Sequence, residues 1–293
     1  MYPIMNVDLG SISGDEQLGS KSKFWFQHEG QDWLFKQARD STGEDWAEKI
    51  AAEVAQLVGV NAARVELAIY QGRKGSASLS FMQAGESLVH GNEILAGQIV
   101  GYDPKKKLKQ SDHTLGNIIA AVSKMASERR DEVLVEFAGY TTLDALICNT
   151  DRHHENWGFL ARAEGAQQAW QAPFRLAPSF DHASSLGREL LDSRARSILD
   201  ANGIADYVRR GRGGIYVDAA DRRGANPIEL IEQAAASYPT YLRNALQGVR
   251  STELGSLHDV VDQVPESVMS ATSHEFAKAL LAHTHRLLSG LAT

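Results

Sequence analysis

Three oxygen-bearing side chains set the chemical question for this sequence. Asp151 and Asn156 stand five positions apart in the polar run Asn149-Thr150-Asp151-Arg152-His153-His154-Glu155-Asn156, and Asp181 follows some 25 residues later at the end of Pro178-Ser179-Phe180-Asp181. One Asp to take a hydroxyl proton, with an Asn and a second Asp as hard oxygen ligands for Mg²⁺, is the set that kinase-type phosphoryl transfer requires. The spacing alone is weak support, because Asp and Asn are common in turns and helix caps.

The elements around these residues must hold them rigidly. An apolar helical pattern over Glu132–Cys148 carries Val133, Leu134, Phe137, Tyr140, Leu143, Leu146 and Ile147 and runs into the polar segment, and the apolar Trp157-Gly158-Phe159-Leu160 leaves it. Polar residues clamped between two buried elements read as a loop fixed for chemistry. Gly158–Arg162 and Phe174–Phe180 read as short strands, so Asp181 closes the second of them.

The N-terminal part reads differently. Lys23–Gln27 and Asp32–Lys36 are short aromatic-rich runs around a Gly-containing turn, which predicts a β-hairpin closed by Lys36. Ser41-Thr42-Gly43-Glu44 opens a helix whose Trp46, Ile50, Val54, Leu57 and Val58 share one face, and Gly59 stops it. Ala62–Tyr70 and Ser76–Met82 read as strands about a turn at Gln71–Gly75. Residues 1–85 therefore predict a β-β-α-β-β lobe with a mainly antiparallel sheet. Residues 84–112 look irregular, and His113–Ser127, Pro227–Ala235 and His274–Leu291 look helical. The expected architecture is α+β and two-lobed: a small β-rich lobe over 1–85 and a larger, mainly helical lobe over 86–293.

Composition narrows the function classes. The 293 residues are 43% hydrophobic and 23% charged, with a net charge of −7 and a single cysteine, Cys148. This is a folded chain without an internal disulfide framework, with no overall charge for binding nucleic acid and no apolar run near the ~20 residues that span a bilayer. With no secretion signal visible at Met1–Asn6, a cytoplasmic location is expected. His153, His154 and Cys148 together lack the partners of a zinc site. Lys105–Lys109 and the group Arg209, Arg210 and Arg212 are basic clusters. Such clusters are usually solvated surface, and either could dock an acidic protein substrate or a tRNA-bound partner. Arg209–Gly214, rich in Gly, reads as a mobile surface loop.

Asn149–Asn156, followed by Ala177-Pro178-Ser179-Phe180-Asp181, resembles the HipA-like serine/threonine kinases, bacterial proteins that are often the toxins of toxin–antitoxin pairs. That family's loop has the form N-T-D-x-H-x-x-N, and its metal segment is an apolar-Pro-x-aromatic-Asp run. The resemblance extends from Lys23 to the C-terminal helices. It implies a protein-kinase-like fold, ATP and Mg²⁺ as cofactors, Asp151 as base and Asn156 and Asp181 as metal ligands. It places His153 on the nucleotide side and favours Lys36 as the lysine on the α/β-phosphates over an edge-strand lysine that blocks aggregation.

The family register gives Glu48, eleven residues before Gly59, as the partner of Lys36. Helical-wheel arithmetic conflicts with this, since Glu48 lies nearly opposite Ile50 whereas Glu53 flanks the apolar face. Glu53 therefore stays as the alternative. Main-chain groups of Phe81, Met82 and Gln83 would meet adenine, and Gly10–Ser22 would cover the phosphates. The run Gly14–Ser22 approaches a P-loop, but one residue too many separates Gly19 from Lys21 and no apolar strand precedes it. Ser11 and Ser13 resemble residues autophosphorylated in some relatives. His154 and Glu155 have no motif support and read as solvated.

The implied partners are a protein substrate with Ser or Thr, in one reading translation-related, and a small antitoxin protein; neither nucleic acid nor membrane is implied. The toxin that gives the family its name has an extra subdomain ahead of the kinase core, and this chain begins almost at the phosphate loop. A separate small protein would then supply the missing part. Competing expectations are a small-molecule or lipid kinase on the same scaffold and an inactive nucleotide-binding module.

Overall fold

The computed structural model describes residues 1–8, 12–15, 23–106, 109–126, 128–162 and 174–292. The smaller part is a sheet of six strands: β1 (Ile4–Asn6), β2 (Ile12–Asp15), β3 (Lys23–His28), β4 (Gln31–Gln37), β5 (Val65–Tyr70) and β6 (Arg73–Leu79), in the order β1-β5-β6-β4-β3-β2. All neighbours are antiparallel except β1, which lies parallel to β5. The hairpin predicted from the aromatic runs is β3–β4. Neither β1 nor the parallel pairing is legible in Met1–Asn6.

Alternation along the strands divides the sheet into two faces. Phe24, Phe26, Trp33, Phe35 and Ala77 fall on one face and form a buried cluster of their own. The register puts Lys36 opposite Ser76, and Ser76 opposite Leu67, on the other face. Leu67 belongs to the main core together with α1 (Glu44–Leu57). Lys36 therefore faces the helix side of the sheet. Its strand lies between β3 and β6, so the edge-strand reading of Lys36 falls away. A side chain at Gly75 would stand 2.3 Å from the Lys36 carbonyl oxygen, so β6 can pass Lys36 at this distance only as glycine.

The helix α1 is buried on nearly all sides. Trp46, Ile50, Val54 and Val58 are core, and so are the charged Glu44, Asp45, Glu48 and Lys49. One side packs on β5 and β6, and the other on α4 (Arg130–Ile147) and α9 (Leu254–Asp262). The wheel conflict over Glu48 comes from assuming a single apolar face. With a second lobe behind the helix, the face opposite Ile50 is also interior.

The larger part is helical. α2 (Gly91–Gln98), α3 (Leu115–Met125), α4, α5 (Asp192–Asp200), α6 (Ile204–Arg210), α7 (Pro227–Ser237), α8 (Pro239–Ser251), α9 and α10 (Ala271–Ser289) enclose one core. From Val133 to Ile147, α4 is buried almost all round, and Cys148 ends it in the left-handed conformation at φ 52°. A small antiparallel sheet joins β7 (Glu86–His90), β8 (Gly158–Arg162) and β9 (Phe174–Leu176). The stretch expected to be irregular, 84–112, thus contains β7 and α2. Among the described residues, no helix is long and apolar enough to cross a membrane.

The first turn of α1 makes a pH-dependent contribution. Asp45 is buried, and burial pushes its carboxyl up to about 6, against the opposing pull of backbone N–H groups and Lys74. A folded-state value above the unfolded one gives stability that is complete below the usual carboxylate range and is lost as pH rises through about 6. Asp45→Asn is expected to be more stable than the parent at alkaline pH by ~1–3 kcal/mol, with the gap closing toward pH ~4. Denaturant titrations at both pH values measure this, and a gap independent of pH would contradict it.

Candidate active site

Asp151 and Asn156 occupy the loop between α4 and β8, and Asp181 lies just after β9. The loop folds on itself. The Asn149 side chain accepts from the Asp151 N–H at 3.1 Å and donates to Asp144 of α4 at 2.7 Å. The Asn156 amide donates to the Asp151 carbonyl at 2.7 Å. Because the Asn156 nitrogen is used this way, its amide oxygen is the end turned to other partners.

Beneath the loop lies Arg152, buried although charged. It makes two hydrogen bonds to the Asp144 carboxylate, at 2.7 and 2.8 Å. It also donates to the Asn156 carbonyl at 2.7 Å and to the Ser179 hydroxyl at 2.8 Å. Ser179 Oγ lies 2.7 Å from His182 Nε2. Burial and the Arg152 charge hold His182 well below its ordinary pKa, so the ring is neutral. Arg152 can only donate, so Ser179 accepts from it while sharing a second hydrogen bond with the His182 ring. His182 Nδ1 lies 3.8 Å from Glu48 Oε1. The His182 backbone N–H donates to that same oxygen at 2.9 Å. A continuous polar chain therefore runs from α4 through both loops into α1.

Lys36 enters from the sheet, and its amine lies 3.3 Å from Asp181. The Lys36 charge holds the Asp181 carboxyl below the usual range. Glu48 is buried, which pushes its carboxyl up, while Lys36 pulls the other way. The second Glu48 oxygen is buried and has no hydrogen-bond partner among the described residues. Glu53, the alternative partner, instead pairs with Lys49 at 2.7 Å. Asp151 is exposed, and its carboxyl is raised by desolvation and by Asp181, against His153 and Arg188. Ser184 Oγ donates to it at 3.5 Å. His153 Nδ1 accepts from the Glu155 N–H at 3.1 Å, within the same loop.

Among the described residues, no three His, Cys, Asp or Glu side chains gather closely enough to hold a metal. A Mg²⁺ held mainly by substrate phosphates needs fewer protein ligands. The Asn156 amide oxygen and the Asp181 carboxylate are of the right hard-oxygen type, and Asp181 stays ionised beside Lys36.

At the segment joining the lobes, the Phe81 carbonyl accepts from Arg175 at 3.0 Å and the Gln83 N–H donates to Glu86 at 2.8 Å. The Gln83 carbonyl accepts from the Glu86 N–H at 3.0 Å. Met82 is exposed, and its N–H and carbonyl bond to nothing among the described residues. Of the three residues expected at adenine, Met82 is the one with both main-chain groups open. The Phe81 ring instead stacks near Phe180, with centroids 5.6 Å apart. Ser11 lies outside the described residues, as do most of Gly10–Ser22, and Ser13 is described only as backbone in β2.

Two expectations are corrected. His154 is buried, not solvated: its Nδ1 lies 2.8 Å from the Tyr102 hydroxyl, and its carbonyl accepts from the Asn92 N–H at 2.8 Å. The partners come from 84–112, where no pattern marked them. Nor is all of Arg209–Gly214 a loose surface loop. Its last residue presses on the catalytic loop, where a side chain at Gly214 would meet the Arg152 carbonyl at 2.8 Å. The Gly214 carbonyl is 2.8 Å from Nδ1 of His113, a buried ring whose Nε2 accepts from the Trp157 indole at 3.1 Å. Sequence reasoning also missed Arg152, whose position inside the motif is its only signal.

The fold and this site define a protein-kinase-like α+β architecture. The chain belongs to the HipA-like C-terminal domain family, whose sequence model matches residues 16–237. It is similar to the proinflammatory kinase CtkA of Helicobacter pylori, with 19% identity, a TM-score of 0.80 and coverage of 99% of this chain and 100% of that one. It is also similar to HipA of Shewanella oneidensis MR-1, solved with HipB and its operator DNA. There the identity is 14%, the TM-score 0.61 and the coverage 96% of this chain and 66% of that one. No curated protein matches by sequence.

The polar chain should be fragile where it is most buried. Asp144→Ala strands the Arg152 charge and is expected to cost about 3–5 kcal/mol. Ser179→Ala removes one shared hydroxyl and should cost about 1–3 kcal/mol. Guanidinium unfolding reads both, and a loss under 1 kcal/mol for Asp144→Ala would deny the pair its structural role.

Proposed function

We propose that this protein is an ATP-dependent kinase that moves the γ-phosphate of ATP to a serine or threonine hydroxyl of a protein. The observation that carries the proposal is the pair of contacts that bring Lys36 within 3.3 Å of Asp181 and bond Asn156 to the backbone of Asp151, with Asp181 near enough to Asp151 to raise its carboxyl. The HipA-like family membership supports the same reading.

The family resemblance and the geometry together support these roles. Lys36 has a central-strand position and a single positive charge to give to the α- and β-phosphates. When it does so, the Glu48 oxygen without a partner becomes the group that steadies the amine. Asn156 and Asp181 would hold Mg²⁺, which supplies neutralisation of the phosphate charge. Met82 offers an N–H and a carbonyl to the adenine edge. The acceptor hydroxyl approaches beside Asp151, its oxygen bonds to the γ-phosphorus and the bond to the bridging oxygen breaks. Its proton goes to the Asp151 carboxylate and ADP leaves. The Asp151 carboxyl is held above the usual range, the direction that suits a general base. Catalysis is then mainly positioning and charge stabilisation.

A small antitoxin-like protein partner belongs to this reading; its support is the Shewanella relative, solved with HipB and operator DNA. Autophosphorylation within Gly10–Ser22, at Ser11 or Ser13, remains part of the proposal as a separate event.

Asp151→Asn is expected to lower phosphate transfer by about 10²–10⁴-fold while leaving Mg²⁺–ATP affinity nearly intact. Asp181→Ala should reduce both. Labelled-ATP incorporation and calorimetry measure the two effects, and full transfer by Asp151→Asn would overturn the assignment. Incubating the protein with lysate shows whether protein or a small molecule becomes labelled, and a small-molecule product would replace the protein substrate in this reading.

A further inference from the structure

Beside the candidate base, on the helical lobe, lies a cavity of about 440 Å³. Its wall includes Thr150, next to Asp151 in the chain, and Ser184, whose hydroxyl bonds to Asp151. Three arginines line it: Arg188, Arg194 and Arg210. Arg188 is committed to Glu44 at 2.8 Å and to Ser184 at 3.1 Å. Arg194 and Arg210 are exposed and form no close ion pair among the described residues, though, beside Arg209, the charge of Arg210 helps to hold down the Asp206 carboxyl one turn earlier. The carboxylate on the wall, Glu189, already accepts from the Tyr207 hydroxyl at 2.7 Å. Two guanidinium groups outside any close ion pair thus line a cavity in a chain whose net charge is −7.

The hydroxyl of Ser184 ties the wall of the cavity to Asp151, so a group bound here would sit beside the candidate base. Guanidinium forks suit a carboxylate, to which Arg can make two parallel bonds.

We propose that this cavity is an acceptor-recognition pocket that takes the acidic side chain of an Asp or Glu a few residues from the phosphorylated Ser or Thr. The proposal rests on the kinase reading above and deepens it by naming the acceptor class. Arg210 comes from the basic group Arg209, Arg210 and Arg212, so one member of that cluster acquires a site. A single acidic side chain fits better than a polyanion, because the cavity is small, Glu189 stands on its wall and the whole chain is negative. The Cys148 thiol on the same wall takes no part, since burial pushes it up to about 12.

The test uses the full chain and a positional-scanning library of Ser/Thr peptides flanked by Asp/Glu, Ala or Lys/Arg. Wild type is expected to favour acidic over Ala-flanked peptides by about tenfold in kcat/KM. Arg194→Ala/Arg210→Ala should reduce that preference to under about twofold with unchanged Mg²⁺–ATP affinity, and Arg210→Glu should turn it toward Lys/Arg-flanked peptides. In parallel, fluorescence anisotropy follows an acidic peptide with Ala at the acceptor position, whose binding must weaken in the double variant. Phosphorylation without an acidic preference, or with a preference the double variant keeps, overturns the pocket and leaves the kinase reading standing. Arginine-dependent binding without transfer to any peptide supports the pocket and counts against the kinase reading. Displacement of the peptide by a single-stranded oligonucleotide at lower concentration than by an acidic peptide would overturn the choice of ligand.

Discussion

The site depends on a charge that has no access to water. Arg152 lies under the catalytic loop and is held by Asp144 at 2.7 and 2.8 Å, within a core that includes most of α4. Burying an ion pair contributes little net stability by itself, since desolvation offsets much of the attraction. What it supplies here is geometry. Five donors fixed in one plane can bind α4, the Asn156 carbonyl and Ser179 at once only if all three take fixed positions. Asn156 and the segment leading to Asp181 are therefore set by one buried side chain.

The same network joins the two lobes. From Ser179 it passes to His182 and on to Glu48 of α1, while the bridge from Ala62 to Ser179 ties the segment after that helix to the residues leading to Asp181. Lys36 reaches Asp181 from the sheet. Packing alone would let two lobes slide by fractions of an ångström, which is much for a transfer reaction. Directional polar contacts resist such sliding more strongly than apolar ones. That explains why α1 carries buried charges along its length, where a helix serving only the core would not.

Several parts of this arrangement were legible in the sequence. The aromatic hairpin, α1, α3, α4 and the strands around the catalytic loop carry local period or turn signals. Asp151, Asn156 and Asp181 carried a motif. The missing parts are those whose partners lie far away. β7 is five residues with no clean alternation, because it pairs with β8 some seventy residues later. His154 is polar in a polar loop, and partners from residues 84–112, Tyr102 and Asn92 among them, accompany its burial. Glu48 looked misplaced because a wheel diagram assumes water on one side of the helix. Gly214 carried composition typical of a loose loop, yet the absence of a side chain is what allows contact with Arg152.

The arrangement of charge around Lys36 has a consequence for how the cleft works. One amine serves two carboxylates of unequal surroundings. Asp181 is partly exposed, holds the amine at 3.3 Å and is stabilised as an anion by it. Glu48 is fully enclosed, is raised by burial and keeps one oxygen without a hydrogen bond. The Lys36 amine lies against Asp181, and the enclosed Glu48 oxygen meets no hydrogen-bond donor among the described residues, so the two carboxylates are stabilised unequally. In the kinase reading proposed above, a cation at Asp181 would let Lys36 turn toward Glu48 and the phosphates, and the buried oxygen would gain its partner. Binding would then draw on an inequality of charge built into the folded chain, and not only on the contacts that the ligands themselves add.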